Sequence, residues 1–165
     1  MKIFSFQLSA LKFLAAFACV LAANTASAHL GSTLADIEKS RGKPSGRPDK
    51  TKALWLFEGN DGQLAYAVKF DADGRSIAET LKPALIGRSL HAEIATDFIR
   101  AQMEVLADSK DTQVLDPGKQ YTFAGKSLTV AENEFVVVNE PKGFLLVWVK
   151  GSLPSVTVVS PAALK

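Results

Sequence analysis

The last third of the chain is cut into short apolar runs by turn residues, and that punctuation limits the fold more than any other feature. Runs at Gln120–Ala124, Ser127–Ala131, Glu134–Asn139, Phe144–Lys150 and Ser155–Ser160 are separated by Gly125-Lys126, Glu132-Asn133, Glu140-Pro141-Lys142-Gly143 and Gly151–Pro154. Each run has the length of a strand and each separator has turn chemistry. Connections this short leave no room for the crossover that a parallel pair requires, so the pairing is expected to be mostly antiparallel. Phe144–Val149 is almost wholly apolar, which predicts a central strand covered on both faces with Trp148 in the core.

The earlier part of the chain has the same punctuation with two helices added. Ser32 is a candidate cap for a short first helix carrying Leu30, Leu34 and Ile37 at near-helical spacing, Lys39 and Arg41 suit its end, and Gly42 and Pro44 stop it. Arg41–Lys52 is basic but rich in Pro, Gly and Ser, and reads as a solvated loop. Ala53–Glu58, Gln63–Asp71 and Arg75–Leu81 read as strands, turned by Gly59-Asn60-Asp61-Gly62 and Asp73-Gly74. A longer helix is expected from Ser89 to Asp108, with Leu90, Ile94, Phe98, Ala101 and Val105 on one stripe. This order predicts an α+β protein, a mostly antiparallel sheet with two helices packed on one face. It also reads as an αβββ unit used twice, with halves at 29–83 and 84–165, although no residue-level repeat aligns.

Residues 1–28 have the form of a secretory signal peptide. Lys2 and Lys12 are basic, Phe13–Ala23 is apolar, and Ala26-Ser27-Ala28 offers a small-residue cleavage site. The apolar run falls short of the roughly 20 residues a membrane span needs. The expectation is a periplasmic or secreted protein whose mature form, 29–165, is a single α+β domain without a transmembrane segment. A retained anchor helix and lipidation at Cys19 are the alternatives, the latter disfavoured by the bulky Phe17 in Ala16-Phe17-Ala18.

Removal of 1–28 takes away Lys2 and Lys12, which brings the 19 basic residues level with the 17 acidic ones. A neutral surface of mixed sign carries no electrostatic footprint for nucleic acid or for an anionic membrane. The removed segment also contains the single cysteine of the chain. The remainder therefore has no disulfide, thiol nucleophile or cysteine-ligated metal.

Gly31-Ser32-Thr33-Leu34, Ile37, Gly42 and Pro44, the aromatic strand around Trp55 and Phe57, and Val68-Lys69-Phe70-Asp71-Ala72-Asp73-Gly74 together make a pattern that resembles the SmpA/OmlA group of small outer-membrane-assembly lipoproteins. It is similar also to the helix-plus-hairpin unit of beta-lactamase inhibitory protein-like folds. The resemblance covers roughly residues 30–80. It implies a role in binding or assembly through protein contacts, with a cell-envelope protein as partner and no catalytic residues.

The residues themselves leave three function classes. Trp55, Phe57, Tyr66 and Phe70 lie on adjoining strands and are the candidate binding residues, against a reading of all four as core. In Ala53–Glu58, Leu54 and Leu56 take one face and Trp55 and Phe57 the other, so a strand apolar on both sides needs cover from the second half of the chain, a homodimer partner or a client protein. His29, exposed by cleavage after Ala28, offers an α-amine and an imidazole that can chelate copper, with His91 as a further ligand; otherwise no cofactor is expected. A cell-envelope hydrolase with a carboxylate-based site is the third class, and Glu132, Glu134 and Glu140 are its nearest cluster, though a solvated edge explains them. Asp71-Ala72-Asp73-Gly74 lacks the later ligands of a calcium loop, and Ala124-Gly125-Lys126-Ser127 has Gln120 where a phosphate loop needs glycine. No Gly-x-Ser-x-Gly is present. These readings point to a non-enzymatic binding protein.

Overall fold

The computed structural model describes residues 30–59, 62–106 and 110–165. The signal-peptide, Cys19 and His29 readings lie outside the described residues. Helix α1 is Leu34–Arg41 and helix α2 is Ala92–Met103, the latter continued by a 3-10 turn at Glu104–Leu106. Ten strands follow in chain order: β1 Gly46–Asp49, β2 Lys52–Gly59, β3 Gly62–Phe70, β4 Ser76–Pro83, β5 Gln113–Leu115, β6 Gln120–Phe123, β7 Lys126–Thr129, β8 Glu134–Asn139, β9 Phe144–Val149 and β10 Ser155–Val159. Eight of them make one sheet in the order β1-β2-β3-β4-β10-β9-β8-β5, and β6 and β7 form a separate hairpin. Every pairing is antiparallel. The chain is thus α+β, with two meanders that meet at the β4–β10 seam.

Local chemistry accounts for the ends of α1. Thr33, not the expected Ser32, is the cap. Its hydroxyl oxygen accepts from the Asp36 N–H at 3.3 Å, while the Asp36 carboxylate accepts from the Thr33 N–H at 3.0 Å, a reciprocal capping box. Gly42, at φ +76°, ends the helix in a conformation that favours glycine, and its N–H donates to the Glu38 carbonyl.

The second helix is shorter than the expected Ser89–Asp108, and its stripe is rotated. Leu90 lies buried before it, Ala95, Phe98, Ala101 and Gln102 are its buried residues, and Ile94 is only half-buried. Two strands depart from expectation. Gly46–Asp49 pairs as an irregular edge strand where a loop was expected, and three-residue β5 is too short to leave a period in the sequence.

Direct cross-strand partners share a face of an antiparallel sheet, so the register sorts the side chains. The front face holds Ala53, Trp55, Tyr66, Val68, Leu81, Val156, Val158, Leu146 and Val137, packed with Ile37 of α1 and with Ala95 and Phe98 of α2. The back face holds a second cluster in one half alone. Val136 and Val138 of β8 and Leu145 of β9 pack there with Leu115, Phe123 and Val130. Strand β9 is the expected central strand, with Phe144, Leu145 and Leu146 buried, but Trp148 is only half-buried, with the Lys150 ammonium 4.7 Å from its ring centroid.

Candidate functional site

One row of the back face shows how differently the two meanders are finished. Leu54 pairs Ala67, Ala67 pairs Thr80, Thr80 pairs Thr157 across the seam, Thr157 pairs Val147, Val147 pairs Val136 and Val136 pairs Leu115. The two threonine hydroxyls lie 3.1 Å apart at the seam. On the far side the row is closed over by Phe123 and Val130 of the β6–β7 region. On the near side Leu54, Ala67 and Thr80 are half-buried and Leu56 is 40% exposed. Leu56 pairs Ala65, which is itself buried, and Ala65 pairs Lys82, so the near side is a shallow floor of alanines with leucines standing at one edge.

Lysines border this floor. Lys52 and Lys69 are direct cross-strand partners and both are exposed. Like charges in this position repel. Asp49 relieves Lys52 at 3.5 Å, and its carboxyl is held below the ordinary range first by the Thr51 hydroxyl and N–H that donate to it, with Lys52 adding a smaller effect. At the outer edge the Leu56 N–H donates to the Ser45 hydroxyl at 3.0 Å, which satisfies the group that β1 leaves unpaired.

The four aromatic residues singled out in the sequence lie on the opposite face. Trp55, Tyr66 and Phe70 are buried and Phe57 is half-buried. The Trp55 indole N–H donates to the Gly42 carbonyl at 2.8 Å, and Tyr66 meets Trp55 in a tilted contact and Phe98 edge-on, with centroids 5.5 and 6.1 Å apart. Strand alternation explains this. Residues opposite Leu54 and Leu56 must face the helices, and large rings fill the space between helix and sheet. In this structure they are packing residues, and on the other face of β2 Leu56 is exposed and Leu54 half-buried.

The same core holds a polar cluster that the sequence did not announce. Glu79 is fully buried, and its carboxylate accepts from the Tyr66 hydroxyl at 2.8 Å, the Ser76 hydroxyl at 2.9 Å and the Gln102 amide at 2.8 Å. The Arg41 guanidinium lies 4.5 Å from the Tyr66 ring centroid. Burial, and then the charge of Glu79, push the Tyr66 hydroxyl well above the ordinary phenol range. These contacts tie α1, α2 and the sheet together in the interior, where no substrate reaches, so the cluster is structural.

His91 precedes α2 and lines a shallow cleft with Gly59, Gln63, Pro83, Arg88 and Ser89, which admits little more than a water molecule. Among the described residues, no group of three or more His, Cys, Asp or Glu side chains is arranged to hold a metal ion. Of the three glutamates, Glu134 accepts the Ala131 N–H at the β7–β8 turn, and Glu132 and Glu140 are exposed. No helix among the described residues is long and apolar enough to cross a membrane.

No family model matches this chain, and no curated protein does. Among solved structures it is similar to a DUF4309 family protein (YjgB) from Bacillus subtilis subsp. subtilis str. 168, with 16% identity over 78% of each chain and a TM-score of 0.36. A likeness this distant assigns neither fold nor function.

Proposed function

We propose that this is an exported cell-envelope protein that works by binding another protein, without catalysis, through the open back face of β2, β3 and β4. The observation that carries the reading is Leu56, which stands 40% exposed beside half-buried Leu54 and the alanine floor, on a face that in the other meander is packed against Phe123 and Val130. Isolated exposed leucines are ordinary on protein surfaces, but a contiguous apolar floor beside them marks an interaction surface. Lys52 and Lys69 at its border call for a partner whose apolar surface is edged by acidic residues. A second copy of the chain meets those lysines with lysines of its own, so the homodimer is the poorer occupant.

Export rests on the signal-like residues 1–28, and the reading agrees with the likeness of residues 30–80 to outer-membrane-assembly lipoproteins. It includes the duplicated architecture. The sheet order β1-β2-β3-β4 and then β10-β9-β8-β5 is palindromic about the seam, each half is preceded by one helix, and both helices contribute to the front cluster. In that scheme β6 and β7 are an insertion between β5 and β8.

A photo-crosslinker in place of Leu56 tests the proposal in living cells. Capture of one discrete envelope protein, lost when Lys69 is changed to Glu and absent for a crosslinker at exposed Glu93, is the expected result. No capture at Leu56, together with turnover of a cell-wall substrate by the purified protein, overturns it.

A further inference from the structure

We infer that the partner of the open back face covers it with a β-hairpin bearing a large apolar side chain and an acid, an inference that rests on the protein-binding reading above. The far half of the sheet, covered by β6 and β7, supplies the template. A two-fold axis through the Thr80–Thr157 pair, normal to the sheet, carries the register of one half onto the other, so that Leu54 falls on Val136 and Leu56 on Val138. By the same operation Ala65 falls on Leu145 and Ala67 on Val147. Val136, Val138 and Leu145 are the sheet residues that pack with Phe123 and Val130, and Val147 is partly buried against them. The open floor thus occupies the places at which the far half meets its own hairpin. The correspondence follows from strand pairing alone and needs no common origin of the two halves.

Differences between matched positions describe the occupant. Ala67 stands where the far half has a valine, half-buried between its cross-strand neighbours Leu54 and Thr80, and is the low point of the floor. A cover resting on the leucines reaches it only with a large side chain, for which an aromatic ring gives the most contact area. Lys69 and Lys82 fall where the far half has Val149 and Val159, one on each side of the row through Ala67. Both are exposed, and among the described residues neither has an ion-pair partner. The acids on this face are engaged elsewhere, Asp49 with Lys52 at 3.5 Å and Glu58 with the Gln63 amide at 2.9 Å. An acid in the cover therefore meets a lysine where β6 and β7 meet aliphatic groups. The chain's own hairpin, exchanged onto a second copy, does not qualify. From Pro117 to Ala131 it has two lysines, Lys119 and Lys126, and no acid.

Photo-crosslinkers placed singly at Leu54, Leu56, Ala67 and Thr80 of the full chain in living cells test the inference, with the crosslinked residues of the captured protein mapped by mass spectrometry. Four positions keep the test intact should one substitution fail to fold. The expected residues lie in two short segments joined by a turn, spaced by two within each, with an Asp or Glu beside them. Changing that acid to Lys, or the lysine it faces by Lys69→Glu or Lys82→Glu, is expected to lower capture by about tenfold, and the two changes together to restore it. Crosslinked residues that recur every three or four along one segment mean a helix, and overturn the inference while the protein-binding reading stands. Crosslinks that lead only to a second copy of this chain, or a charge exchange that restores nothing, overturn it as well. No capture at any of the four positions overturns the protein-binding reading itself, and the inference falls with it.

Discussion

The two meanders share a front face but part company behind it. Behind β8 and β9, the β6–β7 region lays Phe123 and Val130 over Val136, Val138 and Leu145, and the sheet becomes the middle layer of a sandwich. Behind β2, β3 and β4 nothing comparable lies among the described residues, and the side chains shrink to Ala65, Ala67 and Ala78 with Leu54 and Leu56 at the edge. The lesson is that covering a face adds stability and removes that face from use. An uncovered face of small residues costs little in water and stays accessible.

The largest effect that tests this contrast comes from the covered half. Phe123 is 1% exposed, and Phe123→Ala should lower stability by about 3–5 kcal/mol in urea melts, the range for emptying a packed aromatic site. A loss no greater than that of a surface substitution breaks the comparison, because the β6–β7 cover would then be a loose flap.

An intermediate effect belongs to the core that both halves share. Tyr66→Phe removes the hydroxyl that donates to buried Glu79 and should cost about 1–3 kcal/mol at neutral pH. The same residue sets an alkaline limit. Its folded-state pKa is raised, so above about pH 10, where an unfolded tyrosine ionises, the unfolded chain holds fewer protons than the folded one. Stability then falls as pH rises, and remains unaffected by this group below that point. Melts between neutral and strongly alkaline pH should show a shallower alkaline loss for Tyr66→Phe than for wild type. Equal slopes would mean that Tyr66 is not the group responsible.

The smallest stability effect should sit on the open face. Leu56→Ser is expected to change stability by no more than about 0.5 kcal/mol, while abolishing capture of the partner by a crosslinker in place of Leu54. A large stability loss would show that Leu56 is core after all, and would move the site elsewhere.

Much of the fold was legible because strand punctuation is local. Glu134–Asn139 was read with the bounds it has, and the alternation of Leu64, Tyr66, Val68 and Phe70 marks the face that is buried. Gly46–Asp49 and Gln113–Leu115 were missed because edge strands this short take their conformation from a neighbour rather than from their own period. That β2, apolar on both faces, leaves a surface needing cover was visible. Nothing in the sequence told which of its two apolar faces would receive the helices, and the aromatic side was the natural but buried choice. Glu79 was invisible for the opposite reason. A lone acid in a strand reads as solvent-facing until Ser76 of its own strand and Tyr66 and Gln102, brought from β3 and α2, satisfy it.

The sequence by itself determined most of the antiparallel strands, the presence of two helices and the stop of the first, the buried face of β3 and the absence of cysteine beyond Cys19. Each follows from interactions between near neighbours, where turn preference and side-chain period act directly. Only the tertiary structure decided the β4–β10 seam, the single cover over one half of the back face, the pairing of Lys52 with Lys69 and the correspondence of the two halves about the Thr80–Thr157 pair. Those depend on contacts between segments far apart in the chain, and no local preference encodes which distant surface will bury a given face.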